Sequence, residues 1–100
     1  MITLSVDVNL GAAYIELTDE PIVETVEVTP SVQVDIDKSG TVVGVELLSL
    51  TADLPIEVMD RMFNFRAGAE MLSSIWPSIR AGVTYATSGQ AYVAPVLQSA

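Results

Sequence analysis

From residue 2 to residue 8 the chain alternates apolar and polar positions, with Ile2, Leu4, Val6 and Val8 interleaved by Thr3, Ser5 and Asp7. That is the period-two pattern of a strand buried on one face. Asn9-Leu10-Gly11 supplies a turn, and Ala13, Ile15 and Leu17 then alternate with Tyr14 and Glu16 as far as the breaker Asp19-Glu20-Pro21. The β-branched run over 22–28, punctuated by Glu24 and Glu27, ends at Thr29-Pro30. Val32, Val34 and Ile36 lead into Asp37-Lys38-Ser39-Gly40, and Val43, Val45 and Leu47 lead out. Four or five short strands joined by tight turns predict an antiparallel β-meander.

After residue 50 the period changes to that of a helix. Pro55 suits a first turn, Thr51 and Asp53 are candidate caps, and Glu57 complements the positive helix end. Ile56, Met59 and Phe63 share a face with Met62 at its edge, while Glu57, Asp60, Arg61 and Asn64 point away. The pattern resumes through Ala69, Leu72, Ile75, Trp76 and Ile79, weakened at Gly68 and kinked or stopped at Pro77. Residues 81–100 read as a hairpin turning at Ser88-Gly89, or as an arm that orders against another subunit. The expected fold is α+β in one domain over 1–100: a meander over 1–50, one or two helices over 51–80, and an extended or hairpin tail over 81–100.

Half of the residues are apolar but only 6% are aromatic, so the core should be thin and aliphatic. A mean hydropathy of +0.47 gives a short chain more apolar surface than one small core hides. The stripe from Met71 through Leu72, Ile75 and Trp76 to Ile79 is expected to lack a partner in its own subunit. Burial against a second copy would supply one, which predicts a homo-oligomer, dimer or larger, assembled through the second half. Met62, Phe63, Met71, Leu72, Ile75, Trp76, Ile79, Tyr85 and Tyr92 are the candidate interface residues. Met59, Met62, Met71, Phe63 and Phe65 suit a groove or a helix-pairing seam, with part of them serving as ordinary core. Trp76, Tyr85 and Tyr92 suit either stacking on a partner or packing between the tail and the sheet.

The formal charge is −9, from thirteen carboxylates against four bases, which repels phosphate backbones and argues against nucleic acid. Residues 1–50 hold nine acids against Lys38, whereas residues 51–100 hold four acids against Arg61, Arg66 and Arg80. Two copies therefore meet more readily through the second half. Without histidine or cysteine the usual nucleophilic triads and thiolate metal sites cannot be built. No glycine-rich phosphate loop occurs. No cofactor and no catalytic residue is expected, and the chain reads as no enzyme. The start lacks the basic and long apolar regions of a signal peptide, and the uncharged tail is too polar to span a bilayer, so a cytoplasmic location and no membrane contact are expected.

One stretch imitates a metal site. Asp35, Asp37, Ser39, Gly40 and Glu46 fall at positions 1, 3, 5, 6 and 12 of a calcium-loop pattern. The entering segment alternates like a strand, however, and position 9 is Val43, which offers no ligand. Pairing Ile36 with Val43, Val34 with Val45 and Val32 with Leu47 places six apolar side chains on one face of a hairpin. Asp37 then lies about 13 Å from Glu46 at about 3.3 Å per residue, too far for one calcium ion with ligands at about 2.4 Å. Asp35, Asp37 and Glu46 are expected to line a solvated face, with no metal ligands among them. Gly40 should take positive φ in the turn. Gly44 should lie on the open face, so that Gly44→Val harms folding less than Gly40→Val.

The run V-D-I-D-K-S-G-T-V-V-G-V-E-L-L, with A-A-Y-I-E-L upstream and V-E-V-T-P between them, resembles the small bacterial and phage family known as domain of unknown function 2283. The resemblance covers residues 4–50. Ile36 stands where that family usually has Tyr, and Gly11 where an Asp often precedes the Ala-x-Tyr strand. It implies a compact β-meander without established activity, in a family whose genes sometimes neighbour small toxin-like proteins. The leading functional expectation is a non-catalytic, self-associating protein-interaction module, antitoxin-like or phage-associated, with an unidentified protein partner. The alternative is a small-ligand or metal-binding protein that uses the acidic face of the sheet.

Overall fold

The computed structural model describes residues 2–65, 70–86 and 92–95, the last four through their backbone. The expected turn at Ser88-Gly89, the joint at Gly68 and the Tyr92 side chain lie outside what is described. The strands are β1 (Thr3–Asp7), β2 (Ala12–Glu16), β3 (Glu24–Thr29), β4 (Val32–Ile36) and β5 (Val42–Leu47). Helices α1 (Ile56–Met62) and α2 (Glu70–Ala86) follow, and then β6 (Tyr92–Pro95). The architecture is α+β, as the change of period predicts.

The sheet order is β3-β4-β5-β2-β1-β6, and every pairing is antiparallel. This is not one continuous meander. The hairpin β1–β2 and the three-stranded unit β3–β4–β5 join through β2 and β5, where Ala13 pairs with Leu47 and Ile15 with Val45. The physical reason lies in β5. Of its six residues only Glu46 keeps appreciable exposure, so the least polar strand takes a central place, and the segment 17–23 carries the chain to the far edge. Edge strand β3 has three exposed residues, Glu24, Thr25 and Glu27.

The β4–β5 hairpin has the expected register over most of its length, with Val32 opposite Leu47 and Val34 opposite Val45. Near the turn it departs: Ile36 pairs with Val42, and the register shifts between Asp35 and Ile36. The bulge lets consecutive Val42 and Val43 both be buried. On the β2 side the Val43 carbonyl accepts from the amides of Leu17 and Thr18 at 2.8 and 3.2 Å. Gly40 has φ +78°, as a tight turn requires.

Both helices contribute to the core on one face of the sheet. Met59 of α1 and Leu72, Ile75 and Ile79 of α2 are fully buried with Leu4, Ile15, Val34 and Val45. This corrects the expectation that the stripe from Met71 to Ile79 lacks a partner in its own subunit. Of the two expectations for Pro77, a kink or a stop, the stop is corrected, because α2 runs on to Ala86. Pro77 sits on the exposed side, so it removes one backbone bond without touching the apolar stripe, which continues through Val83 and Ala86. Residues 81–86 are thus helix and not tail. Neither Thr51 nor Asp53 caps α1, whose N-cap is Pro55 without a side-chain hydrogen bond. Asp53 instead pairs with Arg80 at 2.6 Å, and the guanidinium lies over Trp76, 5.5 Å from the ring centroid. Both partners of the ion pair are exposed, so it adds little stability.

Candidate functional site

Strand alternation places Thr25, Asp35, Gly44 and Glu16 in one row across β3, β4, β5 and β2, on the sheet face opposite the core. The next row contains Gln33, Glu46, Tyr14 and Ser5. Gly44 has no side chain, and Tyr14 leans across the gap from β2. A Cβ built on Gly44 would lie 1.9 Å from the Tyr14 hydroxyl oxygen. That hydroxyl donates to Asp35 Oδ2 at 2.7 Å, and the Thr25 hydroxyl donates to Asp35 Oδ1. With both oxygens engaged, Asp35 is buried, with 9% of its surface exposed. Burial first, then the hydrogen bond and charge of Asp35, with smaller contributions from Glu16 and Glu46, push the Tyr14 phenol well above its ordinary range.

The expectation that Asp35, Asp37 and Glu46 share a solvated face is therefore corrected. Tyr14 and Thr25 cover Asp35. Asp37 serves its own turn, its Oδ1 accepting from the amides of Ser39 and Thr41 at 2.8 and 3.0 Å. Glu46 stands half-buried beside Tyr14. Among the described residues no group of three or more His, Cys, Asp or Glu side chains is placed to hold a metal ion. The expectation for Gly44 is corrected too: the face is closed over by a tyrosine at the one position where no side chain competes for the space. Tyr14 and Thr25 are the residues missed by sequence reasoning. A glycine interrupting a β-branched strand was the available signal, since such a glycine often marks a close approach.

Beside this cluster lies an open concavity of about 380 Å³, lined by Ser5, Asp7, Ala12, Tyr14 and Glu46 with parts of Val6 and Ala13. Asp7 Oδ1 accepts from the amides of Asn9 and Leu10 at 3.0 and 3.1 Å, which fixes the β1–β2 turn at its rim.

The candidate interface residues separate into groups. Leu72, Ile75 and Ile79 are sealed in the core and cannot meet a partner in this fold. Phe63, Met71 and Trp76 are half-buried and pack on the core margin. Met62 and Tyr85 are exposed, Tyr85 with 72% of its surface in solvent. Tyr92 is placed by its backbone opposite Val6. Among the described residues no helix is long and apolar enough to cross a membrane.

Residues 11–50 match the sequence model of a family described as Protein of unknown function (DUF2283). The match supports the resemblance read from the sequence and spans β2 to β5, and so includes Tyr14, Thr25, Asp35 and Gly44. Strand β1 and both helices lie outside it. No curated protein and no solved structure gives a match to the chain.

Proposed function

We propose that the chain is a non-catalytic protein-interaction module that associates with itself through the outward face of α2. The observation that carries this reading is the character of that face. Ser73, Ser74, Pro77, Ser78, Ala81 and Tyr85 are exposed and uncharged, and Glu70 and Arg80 are the charged residues among the exposed positions of α2, in a chain whose formal charge is −9. Two copies meeting there keep their acidic sheets apart. Exposed Met62 at the end of α1 is a further apolar residue in the helical half. The non-catalytic part is supported by the tyrosine cluster, in which Asp35 is saturated by hydroxyl donors and the phenol is held protonated. A small-ligand or metal site built from the acidic residues has less support, because Asp35 and Asp37 are engaged within the fold. An antitoxin-like task is the form of this reading that the family resemblance suggests.

Light scattering at micromolar concentration tests self-association. A dimer or larger species is expected, and Ala81→Glu combined with Tyr85→Glu should convert it to a monomer. A wild-type chain that stays monomeric at high concentration overturns the reading.

A further inference from the structure

We infer that the concavity on the outer sheet face receives the side chain of an arginine or lysine carried by a basic polypeptide segment. This deepens the interaction-module reading by naming a partner chemistry, on a surface separate from the α2 face. Three observations converge on it. The concavity is open, about 380 Å³ in volume, and its walls are the Tyr14 ring with the small residues Ser5 and Ala12. That shape accepts an aliphatic stem lying along the sheet and does not enclose a small molecule.

The Tyr14 ring is also held in place. Its hydroxyl is anchored to Asp35, so the aromatic wall is set before a partner arrives, and an aromatic face attracts a cation within about 6 Å. Glu46, opposite Tyr14 on β5, also lines the concavity, half-buried, with no hydrogen-bond or ion-pair partner among the described residues. A carboxylate in that setting gains more from a counter-charge than a fully solvated one does.

Charge complementarity identifies the occupant. Asp7 and Glu46 line the concavity, and Glu16 neighbours it on β2. The one base of residues 1–50 is Lys38, which lies in the β4–β5 turn. Because Ala13 pairs with Leu47 and Glu16 with Gly44, that turn is at the opposite end of β5 from the concavity. Lys38 therefore does not neutralise the site, and Arg80 is engaged with Asp53. A guanidinium or ammonium group is the chemistry that satisfies an aromatic wall and a lone carboxylate together.

The test is an amide-shift titration of isotope-labelled full-length protein with a decapeptide of alternating Arg and Ser, at about 150 mM salt so that distant charges are screened. The same peptide with Glu in place of Arg is the control. Shifts confined to residues around Ser5, Ala12, Tyr14 and Glu46 are expected. Glu46→Gln, which removes the charge, and Ala12→Leu, which fills the space, should each weaken binding by about threefold to tenfold. Glu57→Gln on α1, an equal change of net charge, should leave binding unchanged. Equal weakening by Glu46→Gln and Glu57→Gln would show attraction to bulk charge alone and overturn the inference, as would the absence of any shift. Light scattering on the same sample separates the two readings: a dimer without local shifts refutes only this one, and a monomer with local shifts refutes only the self-association.

Discussion

Replacing Gly44 by alanine tests the packing on the outer face most directly. The new Cβ would lie 1.9 Å from the Tyr14 hydroxyl oxygen, 2.4 Å from Cζ and 2.9 Å from Cε2, so the ring must leave. Its hydroxyl then loses Asp35, a hydrogen bond to a charged group whose net contribution is about 1.5–3 kcal/mol. The ring's packing over the strand adds about 1 kcal/mol. Against this, alanine is better than glycine inside a strand by about 0.5–1 kcal/mol. The net expectation is a loss of about 2–3 kcal/mol. At about 4–8 °C per kcal/mol for a domain of this size, the melting temperature should fall by more than about 8 °C. Gly40→Ala sets the scale: φ there is +78°, but a Cβ would meet nothing within 4 Å, so the backbone penalty of about 1 kcal/mol acts alone. Thermal and urea denaturation of both variants give the ranking. Combining Gly44→Ala with Tyr14→Ala should recover most of the damage as a coupling of about 1–2 kcal/mol. If Gly44→Ala proves no worse than Gly40→Ala, or if its cost persists without the Tyr14 side chain, the tyrosine does not close over this strand and the argument fails.

Two further outcomes follow from the same face and its hairpin. Because the folded protein raises the Tyr14 pKa above the ordinary value of 10.0, the folded state holds this proton more tightly; stability from this group is complete below pH 10 and declines as pH rises above it, at no more than about 1.4 kcal/mol per pH unit. Urea midpoints measured at successive alkaline pH values should show that decline, and Tyr14→Phe should flatten it. Asp37→Ala removes the acceptor for two turn amides and should cost about 1–2 kcal/mol, while calcium at about 1 mM should leave the melting temperature of the wild type unchanged, since the calcium-loop residues are dispersed along a hairpin; a rise of several degrees, abolished by Asp35→Asn, would contradict the hairpin geometry.

The strands and the first helix were legible because each depends on a local period. Leu4, Val6, Ile15, Val34 and Val45 alternate with polar residues and are buried as that alternation requires. The insertion of β5 beside β2 was not legible, since nothing local distinguishes a strand that pairs with its neighbour from one that pairs across an intervening unit. That the helix would run on past Pro77 was not legible, because a proline on the exposed side leaves the apolar stripe intact. The stripe at Leu72, Ile75 and Ile79 was recognised as apolar but given to the wrong partner, for want of the knowledge that two helices cover the sheet. Asp35 was the instructive failure. Alternation placed it on the outer face correctly, but burial there depends on Tyr14 reaching over Gly44 from two strands away, a contact between rows that no single-strand pattern records.

Strand β3 bears on whether so apolar a chain stacks edge to edge. An edge strand offers unpaired amides and carbonyls on which other sheets can stack into aggregates. Here the edge begins after Pro21 and ends at Pro30, carries exposed Glu24 and Glu27, and is broken by a register shift between Glu27 and Thr29. Prolines cannot donate, carboxylates repel an identical edge, and the irregularity spoils the straight ladder a second sheet would need. Neutralising Glu24 and Glu27 together would remove the repulsion while leaving the core untouched, and would expose Ile22 and Val23, already open to solvent, to contact with the same segment of another molecule. The acidity of this half of the chain thus has a colloidal consequence: it opposes the seeding of a fibril-like stack by the apolar residues Ile22 and Val23 just before β3.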